Sequence, residues 1–155
     1  MRPQSSKGGD PLGPPPRARH NTKGGDPLEP PQNPLGTGAR VPGQEDVKII
    51  NLARSALART SARAGACVRD TDGRSYAGAS VTMEHLKLSA IQVAVAMAVS
   101  SGAPGVEAVA LAGEDEPTED DLALLRELPG TDVVVWNVDV GGAVQSTIEV
   151  SHAAR

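Results

Sequence analysis

Hydrophobic and polar positions divide the chain into two parts near Gln44. Before that residue no apolar periodicity exists, whereas residues 45–150 show helical and strand-like patterns in turn. Over 45–60 the apolar side chains recur at helical spacing, which predicts an amphipathic helix. The short apolar run at 64–68 is typical of a buried strand.

A tight turn and a long apolar helix follow. The segment Asp70-Thr71-Asp72-Gly73 predicts a hairpin, because an Asp-Gly pair accommodates the positive φ of such turns. We expect the returning strand over 74–81. A helix that is apolar on nearly every side is then predicted over 86–101, ended by Gly102.

The remaining pattern alternates strands with a helix. Strands are predicted over 106–112 and 132–138, on either side of a helix over 117–128. A last strand is predicted over 143–150. Strands linked by helices indicate an α/β fold, in which helices cover a mixed sheet.

The first 44 residues differ in composition from the rest. Ten of the thirteen prolines lie in residues 1–45, and Lys7-Gly8-Gly9-Asp10-Pro11-Leu12 recurs sixteen residues later. Such a segment has too little apolar surface to offset the entropy of ordering, so we predict a disordered tail over 1–44. A polyproline recognition peptide is the alternative. Residues 151–155 are predicted to form a short C-terminal tail.

Charge and composition exclude several classes of partner. The net charge is −4, and residues 46–155 carry nine basic and fifteen acidic side chains, hence −6. An acidic domain without a basic stripe or stacking aromatic side chains argues against nucleic acid. No apolar run approaches the roughly 20 residues that span a bilayer, so no membrane partner is expected. The lone Cys67 excludes an internal disulfide and favours a cytoplasmic location.

The segment 88–102 resembles the central zinc helix of the cytidine deaminase family, with the pattern L-C-A-E-R-V-A-I-x-x-A-V-S-x-G. Here it reads L-S-A-I-Q-V-A-V-A-M-A-V-S-S-G. The stretch Gly73-Arg74-Ser75-Tyr76-Ala77-Gly78 is similar to the family's G-x-x-Y-x-G hairpin. The resemblance covers about 46–150 and implies a three-layer cytidine deaminase-like fold with about five strands in a mixed sheet.

At the positions that perform chemistry, this chain departs from the family pattern. The resemblance puts Ser89 where the family has a zinc-binding thiolate and Ile91 where it has the catalytic glutamate. Thr118 and Asp121 stand at the two thiolate positions of the family's P-C-x-x-C turn. Deamination needs three soft or imidazole ligands and a proton-transferring carboxylate. Thr118 is better explained as the N-cap of the predicted helix.

The substrate side departs from the pattern as well. Ser80 and Thr82 lie where the family's N-x-E motif holds ribose hydroxyls, and Ala62 lies near the position of its stacking aromatic ring. Both departures weaken any expectation of nucleoside turnover.

Other polar residues allow two interpretations each. The acids of 114–121 form either a solvated surface or a site for a basic partner or divalent cation. His85 is either exposed or a replacement metal ligand. Cys67 and Trp136 are predicted to be core side chains.

We therefore predict a catalytically inactive cytidine deaminase-like protein, a small cytoplasmic binding, scaffolding or regulatory domain without a cofactor. The alternative is a working cytidine or deoxycytidine deaminase that holds zinc through unrecognised residues. A third hypothesis is a metal-free enzyme of another class, but the sequence contains no group of residues that supports it. Because the helix over 86–101 has more than one apolar face, we also expect a homo-oligomer, a dimer or tetramer. Whether the ligand is a protein or a nucleoside is left open.

Overall fold

The computed structural model describes residues 40–130 and 132–152. Most of the predicted N-terminal tail and the end of the predicted C-terminal tail lie outside these residues. The elements in chain order are α1 Gln44–Thr60, β1 Ala64–Asp70, β2 Ser75–Ala79, β3 Val81–Thr82, β4 Lys87–Leu88, α2 Ala90–Ser100, β5 Val106–Gly113, α3 Glu119–Glu127, β6 Val133–Val138 and β7 Val144–Val150.

The strands confirm the predicted mixed sheet of five strands. Their order is β2-β1-β5-β6-β7, and a separate two-stranded sheet pairs β3 with β4. Strands β5 and β6 run parallel, with α3 as the crossover between them. All other neighbours are antiparallel.

Two apolar clusters on opposite faces of the sheet make the three layers. Alternate residues of β5 illustrate the division: Val109 and Leu111 join the cluster beneath α2, whereas Ala108 and Ala110 join the cluster beneath α1. This is the period of two expected for a strand buried on both faces. Cys67 and Trp136 lie in the α1 cluster, which confirms that both are core side chains.

Small residues on the α1 side let that helix approach the sheet closely. A Cβ atom added at Gly65 would collide with the backbone oxygen of Ala53 and lie 2.7 Å from the backbone nitrogen of Leu57. The alanines of β5 add further small side chains to the sheet surface under α1. The position of α1 therefore depends on the absence of side-chain volume in β1 and β5.

The second helix begins later than predicted, at Ala90 instead of 86. Ser89 has an extended backbone and caps the helix, so the residues before it are free to form a strand. Lys87 and Leu88 pair with Thr82 and Val81. The predicted strand over 74–81 is correspondingly divided, with β2 ending at Ala79 and Ser80 donating its amide to the Ala64 carbonyl at 3.0 Å.

The hairpin between β1 and β2 is present where it was predicted. Gly73 has a φ of 90°, and the Asp70 amide bonds to the Arg74 carbonyl at 2.8 Å. The Asp70 carboxylate is fully buried and accepts bonds from the amides of Asp72 and Arg74 and from the Tyr76 hydroxyl. Among the described residues no helix is long and apolar enough to cross a membrane.

Candidate functional site

The N-termini of α2 and α3 meet at a direct side-chain contact. The Ser89 hydroxyl donates a hydrogen bond to Oδ1 of Asp121 at 2.6 Å, although 32 residues separate them in sequence. Asp121 is only 2% exposed. The structure thus brings together the first and third of the three positions at which the family resemblance places metal ligands.

Each of the two helix starts is built by a local capping box. Ser89 Oγ accepts from the Gln92 amide at 3.0 Å, while Gln92 Oε1 accepts from the Ser89 amide at 2.9 Å. Thr118 and Asp121 repeat this reciprocal arrangement at the start of α3, at 3.1 and 3.0 Å. The predicted role of Thr118 as an N-cap is confirmed. These bonds satisfy amide groups that helix starts otherwise leave without partners.

A cavity of about 300 Å³ adjoins the contact between the two helices. Its lining residues come from β1, β5, both helix starts and the loop before α3: Ala64, Ser89, Ala90, Leu111, Asp115, Glu116, Thr118 and Asp121. The polar groups in this wall are hydroxyls and carboxylates, with no basic side chain among them. The cavity is therefore an acidic site.

Ile91, which the family resemblance puts at the position of the catalytic glutamate, is completely buried. It packs in the α2 cluster with Val95 and Leu125 and does not line the cavity. The side chain contributes to the core, and its hydrocarbon atoms cannot accept or release a proton.

The three positions that the family resemblance assigns to the substrate side, Ala62, Ser80 and Thr82, line a second, open depression of about 380 Å³. Its lining consists of Thr60, Ser61, Ala62, Arg63, Ser80 and Thr82. Hydroxyl groups and one guanidinium provide its polarity. Arg63 and Ser61 were not predicted as site residues, because neither falls at a position of the family pattern.

An ion pair connects residues of the two cavities. Arg63, which lines the open depression, places Nε 3.1 Å from Oδ1 of Asp115, which lines the acidic cavity. A second contact runs from Arg63 Nη1 to Glu114 at 3.7 Å. Both partners are substantially exposed, so solvent screens the pair and its contribution to stability is small.

The other candidate residues do not join either cavity. The His85 side chain is 90% exposed, with Glu84 at 3.5 Å. Cys67 is fully buried, and burial raises the pKa of its thiol to about 11. In the described ranges, no three His, Cys, Asp or Glu side chains are grouped so that they could hold a metal ion.

The direct contact between Ser89 and Asp121 was not predicted from the sequence. Both capping boxes are visible as S-x-x-Q and T-x-x-D patterns, which are local signals. Nothing in either pattern reports that the two helix starts face each other. That information comes from the packing of α2 and α3 on the same face of the sheet.

The fold and the site together define the class of protein. It is a three-layer α/β domain with a polar site where two helix N-termini meet. The sequence matches the family described as Cytidine deaminase-like over residues 42–142. Because this match covers well over half of the chain, the protein belongs to that family. No curated protein matches the sequence at a significant level.

Solved structures of cytidine deaminases share the fold. Cytidine deaminase from Mycobacterium leprae matches with a TM-score of 0.55 and 18% identity, over 66% of this chain and 91% of that one. The enzyme from Burkholderia pseudomallei matches with a TM-score of 0.53 and 22% identity, over 67% and 90%. A mutant cytidine deaminase from Mycobacterium tuberculosis gives 0.50 and 23%, over 57% and 81%. At such identities the likeness establishes the fold alone.

Proposed function

We propose that this protein is a catalytically inactive member of the cytidine deaminase-like family, a small binding, scaffolding or regulatory domain. The observation that carries the proposal is the hydrogen bond from Ser89 to Asp121 at 2.6 Å. Both side chains stand at ligand positions of the family pattern, and they bond to each other.

The residues at the ligand positions do not fit zinc. Catalytic zinc sites use three thiolate, imidazole or carboxylate ligands and keep one open position. Here Ser89 and Thr118 offer neutral hydroxyls, and Asp121 offers the one anionic group. The Thr118 hydroxyl accepts from the Asp121 amide at 3.1 Å, so it already serves as a helix cap. We therefore propose that this position functions without a metal.

The proton-transfer position supports the same proposal. In the family, a carboxylate moves protons between the attacking water and the leaving amino group. Ile91 has no ionisable group, and it is 0% exposed within the α2 cluster. A water in the acidic cavity would find Asp115, Glu116 and Asp121 as the nearby carboxylates. None of these three comes from the first turn of α2.

The substrate side supports binding chemistry of a different kind. Ala62 has no ring to stack on a base, and the hydroxyls of Ser80 and Thr82 replace the amide and carboxylate of the N-x-E pattern. The depression retains polar groups suited to hydrogen bonding. It lacks the carboxylate that would bind a ribose hydroxyl tightly.

The test measures zinc and turnover on the same purified protein. We expect no stoichiometric zinc by elemental analysis and no conversion of cytidine to uridine above the background of a protein-free sample. The physical reason is the weak donor set combined with the missing proton carrier.

A matched variant checks that the surrounding frame is intact. The combined change Ser89→Cys, Ile91→Glu, Thr118→Cys and Asp121→Cys should restore zinc binding more readily than turnover, since Ala62, Ser80 and Thr82 stay unchanged. One zinc per wild-type chain, together with deamination that a chelator abolishes, would refute the proposal. His85 and the acids of 114–121 would then be the first candidates for ligands.

A further inference from the structure

Helix α3 is attached to the rest of the domain at few points. Its nine residues include only two that are fully buried, Asp121 and Leu125. Leu125 lies in the α2 cluster, with Leu122, Leu124 and Leu128 at its edge. At the C-terminal end, His152 Nε2 lies 2.7 Å from the Leu128 carbonyl. At the N-terminal end, the hydrogen bond from Ser89 to Asp121 is the polar contact that the described residues provide between α3 and another element.

Asp121 is a carboxylate that the fold removes almost completely from water. Two donors reach it in the described structure: the Ser89 hydroxyl at Oδ1 and the Thr118 amide at Oδ2. The Thr118 amide belongs to the same helix start, so it cannot hold α3 to a neighbouring element. Ser89 can, because it belongs to the start of α2. A buried carboxylate that loses such a donor is left partly unsatisfied, which is costly.

We infer that Ser89 and Asp121 form a metal-free clasp that holds the N-terminus of α3 against the N-terminus of α2. In this clasp one hydroxyl serves both helices: Ser89 Oγ accepts from the Gln92 amide and donates to the Asp121 carboxylate. The clasp also shapes the acidic cavity, since both of its residues line the wall. This inference rests on the proposed metal-free state of the site.

The clasp predicts that the Ser89 and Asp121 side chains act together to hold the first turn of α3. Loss of either partner should loosen the first turn of α3. The half-buried Leu122 is the other contact of that turn with the core, and Leu125 and His152 act further along the helix. A hydrogen bond to a charged group contributes more than one between neutral groups. Local opening of α3 should therefore respond much more strongly than opening of the sheet.

The experiment is a double-mutant cycle on the full chain, read by hydrogen–deuterium exchange of the α3 amides. Ser89→Ala and Asp121→Ala should each accelerate α3 exchange roughly 10- to 100-fold. The double variant should accelerate it by less than the product of the two single effects. Ser100→Ala and Asp120→Asn are matched controls at exposed positions of the same helices. The first should leave α3 exchange unchanged, and the second should change it only a few-fold, by removing a charge near the helix N-terminus.

Multiplicative effects in the cycle would overturn the clasp, because they would show that the two side chains act independently. Should Asp121→Ala not fold, Ser89→Gly decides alone. Glycine is tolerated at an N-cap with little loss, so it removes the clasp while largely sparing the cap. Unchanged α3 exchange in Ser89→Gly would also overturn the inference.

A chelator separates this inference from the proposed function. If EDTA accelerates α3 exchange in the wild-type protein, a metal joins the helices, and both the clasp and the metal-free proposal fail. If EDTA has no effect while the cycle is multiplicative, the clasp alone fails.

Discussion

Cys67 shows how burial controls the chemistry of a single residue. The thiol lies in the α1 cluster, and desolvation raises its pKa from 9.0 to about 11. Burial disfavours the thiolate because a charged sulfur would lose its hydration. At neutral pH the side chain is therefore an apolar space-filler, as the sequence predicted, and it lacks the thiolate character that a nucleophile requires.

This pKa shift predicts a pH-dependent loss of stability. Because the thiol ionises more easily in the unfolded chain, its contribution is intact below pH 9 and is lost as the pH rises towards 11. The slope attributable to one such group is at most about 1.4 kcal/mol per pH unit. Urea unfolding of wild type and Cys67→Ala between pH 8 and pH 11 measures it.

The difference between the two proteins isolates the thiol from the other groups that titrate in this range. We expect the free-energy gap between wild type and Cys67→Ala to narrow as the pH rises. A gap that stays constant from pH 8 to pH 11 would contradict the assigned burial of the thiol.

At the scale of elements, the contact between α1 and β1 depends on Gly65. A methyl group there would collide with the backbone of Ala53 and crowd the backbone nitrogen of Leu57. Since backbone atoms cannot rotate away, Gly65→Ala must displace the whole helix. We expect a loss of about 1–3 kcal/mol in the free energy of unfolding, measured by urea denaturation.

Gly141→Ala is the matched control for this substitution. Gly141 has no positive φ, and its added methyl would meet only the Asp139 carboxylate at 3.5 Å. The control should lie close to wild type. Equal effects of the two substitutions would show that α1 is not seated closely on β1.

At the scale of the whole molecule, several apolar side chains remain exposed on the described chain. Met97 and Val99 lie on α2, and Met83 and Leu86 lie in the segment just before it. Contiguous apolar patches mark protein contacts, and exposed apolar side chains on α2 fit the second apolar face that the sequence predicts for this helix. We therefore retain the expectation of a homo-oligomer, a dimer or tetramer.

Light scattering at micromolar concentration tests this expectation. Wild type should have at least twice the mass of one chain, and Met97→Glu should lower that mass by placing a charge in the contact. Val140→Glu is the control, since Val140 is also an exposed apolar residue but follows β6. A monomeric wild-type protein would contradict the prediction.

The sequence by itself determined the local structure of this protein. Helical spacing, apolar runs and turn signals located the three helices and the five main-sheet strands of the described residues, because burial of an element selects apolar residues along it. Turn and cap signals such as Asp72-Gly73 and Thr118 were equally readable, since their bonds join residues close in the chain. The same local signal at Ser89 was overlooked, which moved the predicted start of α2.

Only the tertiary structure decided which distant residues meet. Helices α2 and α3 precede and follow β5 in the chain, and both pack on the same face of the sheet. This packing brings Ser89 and Asp121 together. The ion pair between Arg63 and Asp115 is likewise a contact between different parts of the fold, and so is the close packing of α1 on Gly65. A periodic pattern reports which side of an element is buried, and it contains no information about the partner. For that reason the fold class was predictable from the sequence, whereas the contact between Ser89 and Asp121 was not.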